Sequence, residues 1–154
     1  MPFVSPGTYY SQATTGYLST LSLGTTASPD SYTAILEIRS IKSNNFTVPE
    51  VDCTTLQSPN ATEESIPGLV KPGTIEGTGN FIGDTTQLSI PASGIGQNIM
   101  WYKIVASVQR GAKTYTQTGS CYVIKWEVGP FENNKATDVS FSLKVSGTIT
   151  ETVA

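Results

Sequence analysis

Two stretches of this chain alternate apolar and polar residues and are held apart by a long polar insert, and no other feature restricts the fold as much. The first, Ile35-Leu36-Glu37-Ile38-Arg39-Ser40-Ile41, is rich in β-branched residues and places Glu37 and Arg39 opposite Leu36 and Ile38, the period of two that a half-buried strand requires. The second, Thr74 to Phe81, sets Glu76, Thr78 and Asn80 against Ile75 and Phe81. The insert from Lys42 to Gly73 is about thirty residues long, where a hairpin needs roughly 2 to 5. Its composition is not that of a disordered linker, because Phe46, Val48, Val51, Leu56, Ile66, Leu69 and Val70 recur along it. Such anchors require a surface to bury against, in the same domain or on a neighbouring subunit.

The rest of the chain continues the β pattern. Residues 1–17 are rich in Pro, Gly and Ser and carry Tyr9, Tyr10 and Tyr17 without a period; they read either as a flexible terminus or as an arm laid on a neighbour, since tyrosine supplies contact area at small entropic cost. Leu18 to Gly24 reads as a short strand and Ser28-Pro29-Asp30 as a turn. Gly83-Asp84-Thr85-Thr86 offers a helix N-cap, but Pro91, Gly94 and Gly96 limit the helix to about two turns. Trp101 to Val108 and Thr114 to Val128 form a hairpin about Gln109 to Lys113, with Tyr102, Ile104, Ala106 and Val108 on one face of the first strand. On the second, Tyr122, Ile124, Trp126 and Val128 are expected on the apolar side, opposite Cys121, Val123, Lys125 and Glu127. After the turn Glu132 to Lys135, the clearest strand of all sets Val139, Phe141, Leu143 and Val145 against Ser140, Ser142, Lys144 and Ser146, one face core and one face wet.

Several function classes fall on composition alone. The chain has 154 residues, enough for one domain with its own core. Only 14% are charged and the net charge is -3, the opposite of what a protein that grips phosphates shows. No histidine is present, which removes Ser-His and Cys-His nucleophiles and histidine metal sites; no catalytic residue, metal site or cofactor is assigned. The glycines at 77, 79 and 83 do not fit a dinucleotide fingerprint, and no phosphate loop is present. Glu63-Glu64 reads as solvated loop surface rather than an acid-base pair, and Trp101, Tyr102, Tyr122 and Trp126 as sheet packing rather than a sugar platform. No run is long and apolar enough for a membrane helix, and Met1 to Gly7 lack the basic and apolar regions of a secretion signal, so a cytoplasmic origin and reduced Cys53 and Cys121 are expected.

An ordered set of blocks carries a resemblance. Glu37-Ile38-Arg39-Ser40-Ile41, then Val51-Asp52-Cys53-Thr54-Thr55-Leu56-Gln57-Ser58, then Ile66-Pro67-Gly68-Leu69-Val70-Lys71-Pro72-Gly73, and finally the strand Val139 to Gly147 resemble, in that order and spacing, the tail tube proteins of long-tailed, non-contractile, lambda-like bacteriophages. The resemblance implies a mainly β fold, a two-sheet β-sandwich or barrel with one short flanking α-helix and a long loop between two strands. It also implies an N-terminal arm (1–17) ahead of a single β-domain (18–154). Six copies would form a ring, and stacked rings a hollow tube through which double-stranded DNA passes without specific binding. The implied partners are other copies, the tape measure protein, the tail terminator and the distal tail protein, with no membrane insertion, in a virion assembled in the host cytoplasm. On this reading the subunit or ring interface comprises Tyr9, Tyr10, Phe46, Val48, Val51, Asp52, Thr54, Leu56, Ser58, Ile66, Pro67, Gly68 and Leu69, and Glu37, Glu76 and Glu127 are candidates for the lumen. A β-sandwich module that binds carbohydrate or a receptor is the alternative reading; it shares the long anchored loop and the lack of catalytic groups.

Overall fold

The structure, a computed structural model, describes residues 11–24 and 32–154; Tyr9, Tyr10 and the expected turn at Ser28-Pro29-Asp30 lie outside them. Among the described residues eleven strands and one α-helix follow in order: β1 (Thr20–Gly24), β2 (Thr33–Ala34), β3 (Ile38–Lys42), β4 (Phe46–Thr47), β5 (Glu50–Asp52), β6 (Ser65–Pro67), β7 (Lys71–Pro72), β8 (Thr74–Asn80), α1 (Thr85–Ile95), β9 (Met100–Val108), β10 (Lys113–Val128) and β11 (Asp138–Val153). Seven of the strands make one antiparallel sheet in the order β2-β1-β9-β10-β11-β8-β3. Of the sandwich or barrel expected, the structure shows the mainly β fold with one helix, its main sheet single and curled into a half-barrel.

That order has a geometric consequence. β2 and β3 lie on opposite edges of the sheet yet are joined by only Ile35 to Glu37. Four backbone steps reach at most about 14 Å, whereas edges six strand spacings apart on a flat sheet would be roughly 29 Å apart. The sheet must curl until its edges nearly meet. Gly16 to Ser19, which lead into β1, share a groove with Ile38 to Ile41 of β3, as such a curl demands. The crossing also breaks the strand expected over 35–41: Leu36 and Glu37 form a turn, Glu37 in the left-handed region at φ 60°, and a bulge lies between Ile38 and Ser40.

The inside of the curl is the core. Leu21, Leu23, Ile75, Met100, Tyr102, Ile104, Phe141, Leu143 and Val145 fill it, and the tip of the Phe141 ring occupies the space that a Cβ would need at Gly77, its partner on β8. α1 plugs the curl with Ile90, which is fully buried. This helix has 11 residues, about three turns rather than two, and it runs through Pro91. A buried Ile90 and the close approach of Gly94 to Val123, where a Cβ would sit 3.2 Å away, offset the one hydrogen bond that proline removes.

β10 corrects a second expectation. Its inward residues are Gln117, Gly119, Cys121 and Val123, while Tyr122 and Ile124 face out and are 41% and 52% exposed. The register against β11 slips between Val123 and Lys125. One extra residue reverses the alternation, so Trp126 turns inward to stack on Phe141, with ring centroids 6.4 Å apart.

Candidate functional site

The insert between β3 and β8 is not a loop but an arm. Its two sides pair as continuations of the β3–β8 hairpin: Phe46 opposite Pro72, Thr47 opposite Lys71, Val51 opposite Ile66, and Asp52 opposite Ser65. At its root the Gly73 N–H donates to Asn44 Oδ1 at 2.7 Å and to the Asn45 carbonyl at 2.6 Å, while the Gly73 carbonyl accepts from the Val145 N–H at 3.1 Å. This clamp fixes where the arm leaves the sheet.

Polar groups shape the arm, and apolar groups are left over. Asp52 Oδ1 accepts from the Thr54 N–H at 2.9 Å, which holds its carboxyl below the usual carboxylate range. Thr54 Oγ1 accepts from the Glu64 N–H at 2.9 Å, and Ser58 donates to Glu64 Oε2 at 2.7 Å. The Gly68 N–H reaches the Pro49 carbonyl at 2.7 Å. Thus Asp52, Thr54, Ser58 and Gly68, among the residues expected at an interface, also take part in building the arm itself. Phe46, Val48, Val51, Leu56, Ile66, Leu69 and Val70, by contrast, are all exposed, Leu56 completely; Pro67 is exposed as well. A two-stranded ribbon with two wet faces is marginal alone, and seven large apolar side chains on it form a surface that needs covering. Between the arm's root and β11 runs a groove of about 670 Å³ lined by Phe46, Val70, Pro72, Gly147, Thr148, Ile149 and Glu151.

The lumen candidates fall at two places. Glu76 and Glu127 share the outer face of the sheet: Glu76 lies opposite Ser142 and Lys42, and Glu127 opposite Ser140. Glu37 sits at the margin of this face, accepting from Asn80 Nδ2 at 3.2 Å. The face is not acidic. Lys42 borders Glu76 in register, Lys125 lies one strand further on across Ser142 and 3.4 Å from Glu127, and Arg39 pairs with Asp138. Ser40, Thr78, Ser140 and Ser142 fill the space between them.

The remaining candidates resolve by position. Cys53 is exposed on the arm, and Cys121 lies in the core, where burial pushes its thiol up to about 12. Tyr102 is fully buried and Trp126 lies on Phe141, so the aromatics do not assemble into a flat platform. Sequence reasoning missed Gln87, which is 1% exposed. Its amide donates to the Leu36 carbonyl at 3.0 Å and the Asn80 carbonyl at 2.8 Å, and its carbonyl accepts from the Ile82 N–H at 3.0 Å and the Gly83 N–H at 3.3 Å. All four bonding positions of the side chain are used, at the seam where the sheet edges approach. A polar residue three positions after an N-cap aspartate was the one available signal.

No protein-family model and no curated protein sequence matches the chain. Solved structures do. The tail of an empty gene transfer agent particle, refined with C6 symmetry, contains a chain 14% identical, with a TM-score of 0.63 over 86% of this chain and 95% of that one. The SPP1 tail tube is 19% identical, with a TM-score of 0.58 over 88% and 75%. The sheath/tube terminator of an extracellular contractile injection system is 14% identical, with a TM-score of 0.68 over 95% and 99%. The fold is that of tail tube and tube-like proteins.

Proposed function

We propose that this chain is the tube-forming subunit of a phage tail. Six copies close a ring, rings stack into a hollow tube, and double-stranded DNA passes down the bore. The observation that carries this reading is the arm: a two-stranded ribbon bearing Phe46, Val48, Val51, Leu56, Ile66, Leu69 and Val70 in water, on a fold similar to those in the gene transfer agent tail and the SPP1 tail tube. Docking the arm on another copy covers that surface and supplies the support a lone ribbon lacks. Tyr9 and Tyr10 are assigned to the same contact.

The non-contractile, lambda-like assignment rests on the ordered sequence blocks, since the similar folds include both a tail tube and a contractile injection system. It brings with it the tape measure protein within the tube, a terminator at one end, a distal tail protein at the other, and a place in the virion after assembly in the host cytoplasm. The bore is assigned to the outer face with Glu76 and Glu127, bordered by Glu37. Mixed charge and hydroxyl groups on that face bind a passing polyanion weakly, because each unopposed lysine would add salt-dependent affinity at every repeat.

Negative-stain microscopy and amide exchange on the purified chain test the reading together. Rings or tubes are expected, with arm amides from Phe46 to Val70 exchanging fast in the monomer and slowly in the assembly. The double variant Phe46→Ser, Leu69→Ser should stay folded and monomeric. Equal protection in both states, or normal polymerisation of that variant, would remove the arm from the contact.

A further inference from the structure

Charge is segregated along the chain. From Ser43 to Val70 the arm carries Glu50, Asp52, Glu63 and Glu64 and no lysine or arginine; all four are exposed, and none pairs with a cation among the described residues. From Thr85 to Trp126 the opposite holds: Lys103, Arg110, Lys113 and Lys125, with no carboxylate. Lys125 is engaged by Glu127 at 3.4 Å, and Lys103 lies over the Tyr32 ring at 5.6 Å. Arg110 and Lys113 are left exposed at the turn between β9 and β10. That turn holds Gln109 and Arg110 at φ 52° and 55°, a conformation that hairpins ordinarily give to asparagine and glycine. It carries Arg110 at its tip.

Topology places the arm and this turn at one end of the molecule. The arm leaves the sheet at Thr74, level with Lys144 on β11. From there β11 runs on to Val153, opposite Tyr115 and close to the turn. The arm's root follows that same half of β11, bonded at Val145 and walling the groove that ends at Glu151. Glu151 itself is exposed but engaged, accepting from Gln117 Nε2 at 3.0 Å. With the strands along a ring axis, rotation about that axis would bring the arm of one copy level with the turn of its neighbour, whereas a stacked copy would offer its other end.

We propose that the acidic arm of one copy docks laterally on the basic β9–β10 turn of the next copy, so that charge selects the contact within a ring. The inference rests on the ring reading above and names its partner surface. Between exposed charges the attraction is screened over about 10 Å at 0.1 M salt and about 3 Å at 1 M. Ring formation is therefore salt-sensitive.

The test uses the purified full chain, with ring and tube formation followed by sedimentation and microscopy across a sodium chloride series. Three variants are compared with the wild type: Glu63→Lys with Glu64→Lys, Arg110→Glu with Lys113→Glu, and all four changes together. Each double variant should raise the concentration needed for rings at least about tenfold at low salt, a coupling of ordinary size for close charge pairs, and the fourfold variant should recover most of that loss. Thermal unfolding of each monomer should match the wild type. The contact is overturned if Arg110→Glu, Lys113→Glu assembles normally, if the fourfold variant is as defective as the doubles, or if the doubles form normal rings that fail only to stack. A wild-type chain that stays monomeric at every salt overturns the tube reading, and this contact with it.

Discussion

At the scale of single residues, burial separates groups that look alike in the sequence. Cys53 and Cys121 share no motif, yet one sits on the exposed arm and the other in the core. Burial disfavours the thiolate, pushing Cys121 up to about 12, and the thiolate is the reactive form. The native monomer should thus take up one equivalent of a thiol reagent, at Cys53, and the unfolded chain two. In assembled tubes Cys53 should label slowly. Rapid labelling of Cys121 in the native monomer would mean that the core around β10 opens far more readily than its packing implies.

Among the elements, α1 shows how local chemistry and packing share the work. Asp84 starts the helix by accepting from the Gln87 N–H at 3.1 Å, and its other oxygen accepts from the Thr86 hydroxyl at 2.7 Å. The Thr86 hydroxyl is the larger cause of a carboxyl held below its ordinary range. A depressed native pKa stabilises the fold above the ordinary aspartate range, and that stabilisation is lost as pH falls through the native value. On acidification the melting temperature of the wild type should fall more steeply than that of Asp84→Asn, which keeps a cap acceptor but has no charge to lose; parallel curves would exclude the cap as a source of the pH dependence. The eleven-residue length of the helix was not legible beforehand, because Pro91 and Gly94 weigh against it locally and only Ile90 and Val123 across the curl favour it.

For the molecule as a whole, the seam where β2 hands over to β3 decides the shape. Gln87 fastens it by bonding Leu36 in the crossing, Asn80 at the end of β8, and the two backbone N–H groups that follow. Replacing it with leucine, similar in volume, strands these backbone groups, at a cost of about 3 kcal/mol or more when each buried unpaired group costs roughly 1–3. Unfolding by urea should show that loss, and exchange should accelerate in β3 before it does in β9 or β10. A variant as stable as the wild type would mean that the curl is held by the core alone.

Uninterrupted alternation was enough to place the strands that have it. Ile75 on β8 and Val139 to Val145 on β11 turned inward as their period of two required, since one face of a sheet must leave water. The sequence also showed that the insert carried more apolar groups than a loop needs. The sequence did not determine parity after a bulge: Tyr122 and Ile124 lie outside because one residue near Ile124 slips against β11, and nothing local marks such a slip. Nor did it show that Asp52, Thr54 and Ser58 fold the arm while Leu56 and Leu69 remain uncovered, because that division depends on the Asp52–Thr54 turn and on the bonds of Thr54 and Ser58 to Glu64. The single curled sheet was likewise a tertiary outcome, since a three-residue crossing constrains the fold only once its two strands occupy opposite edges.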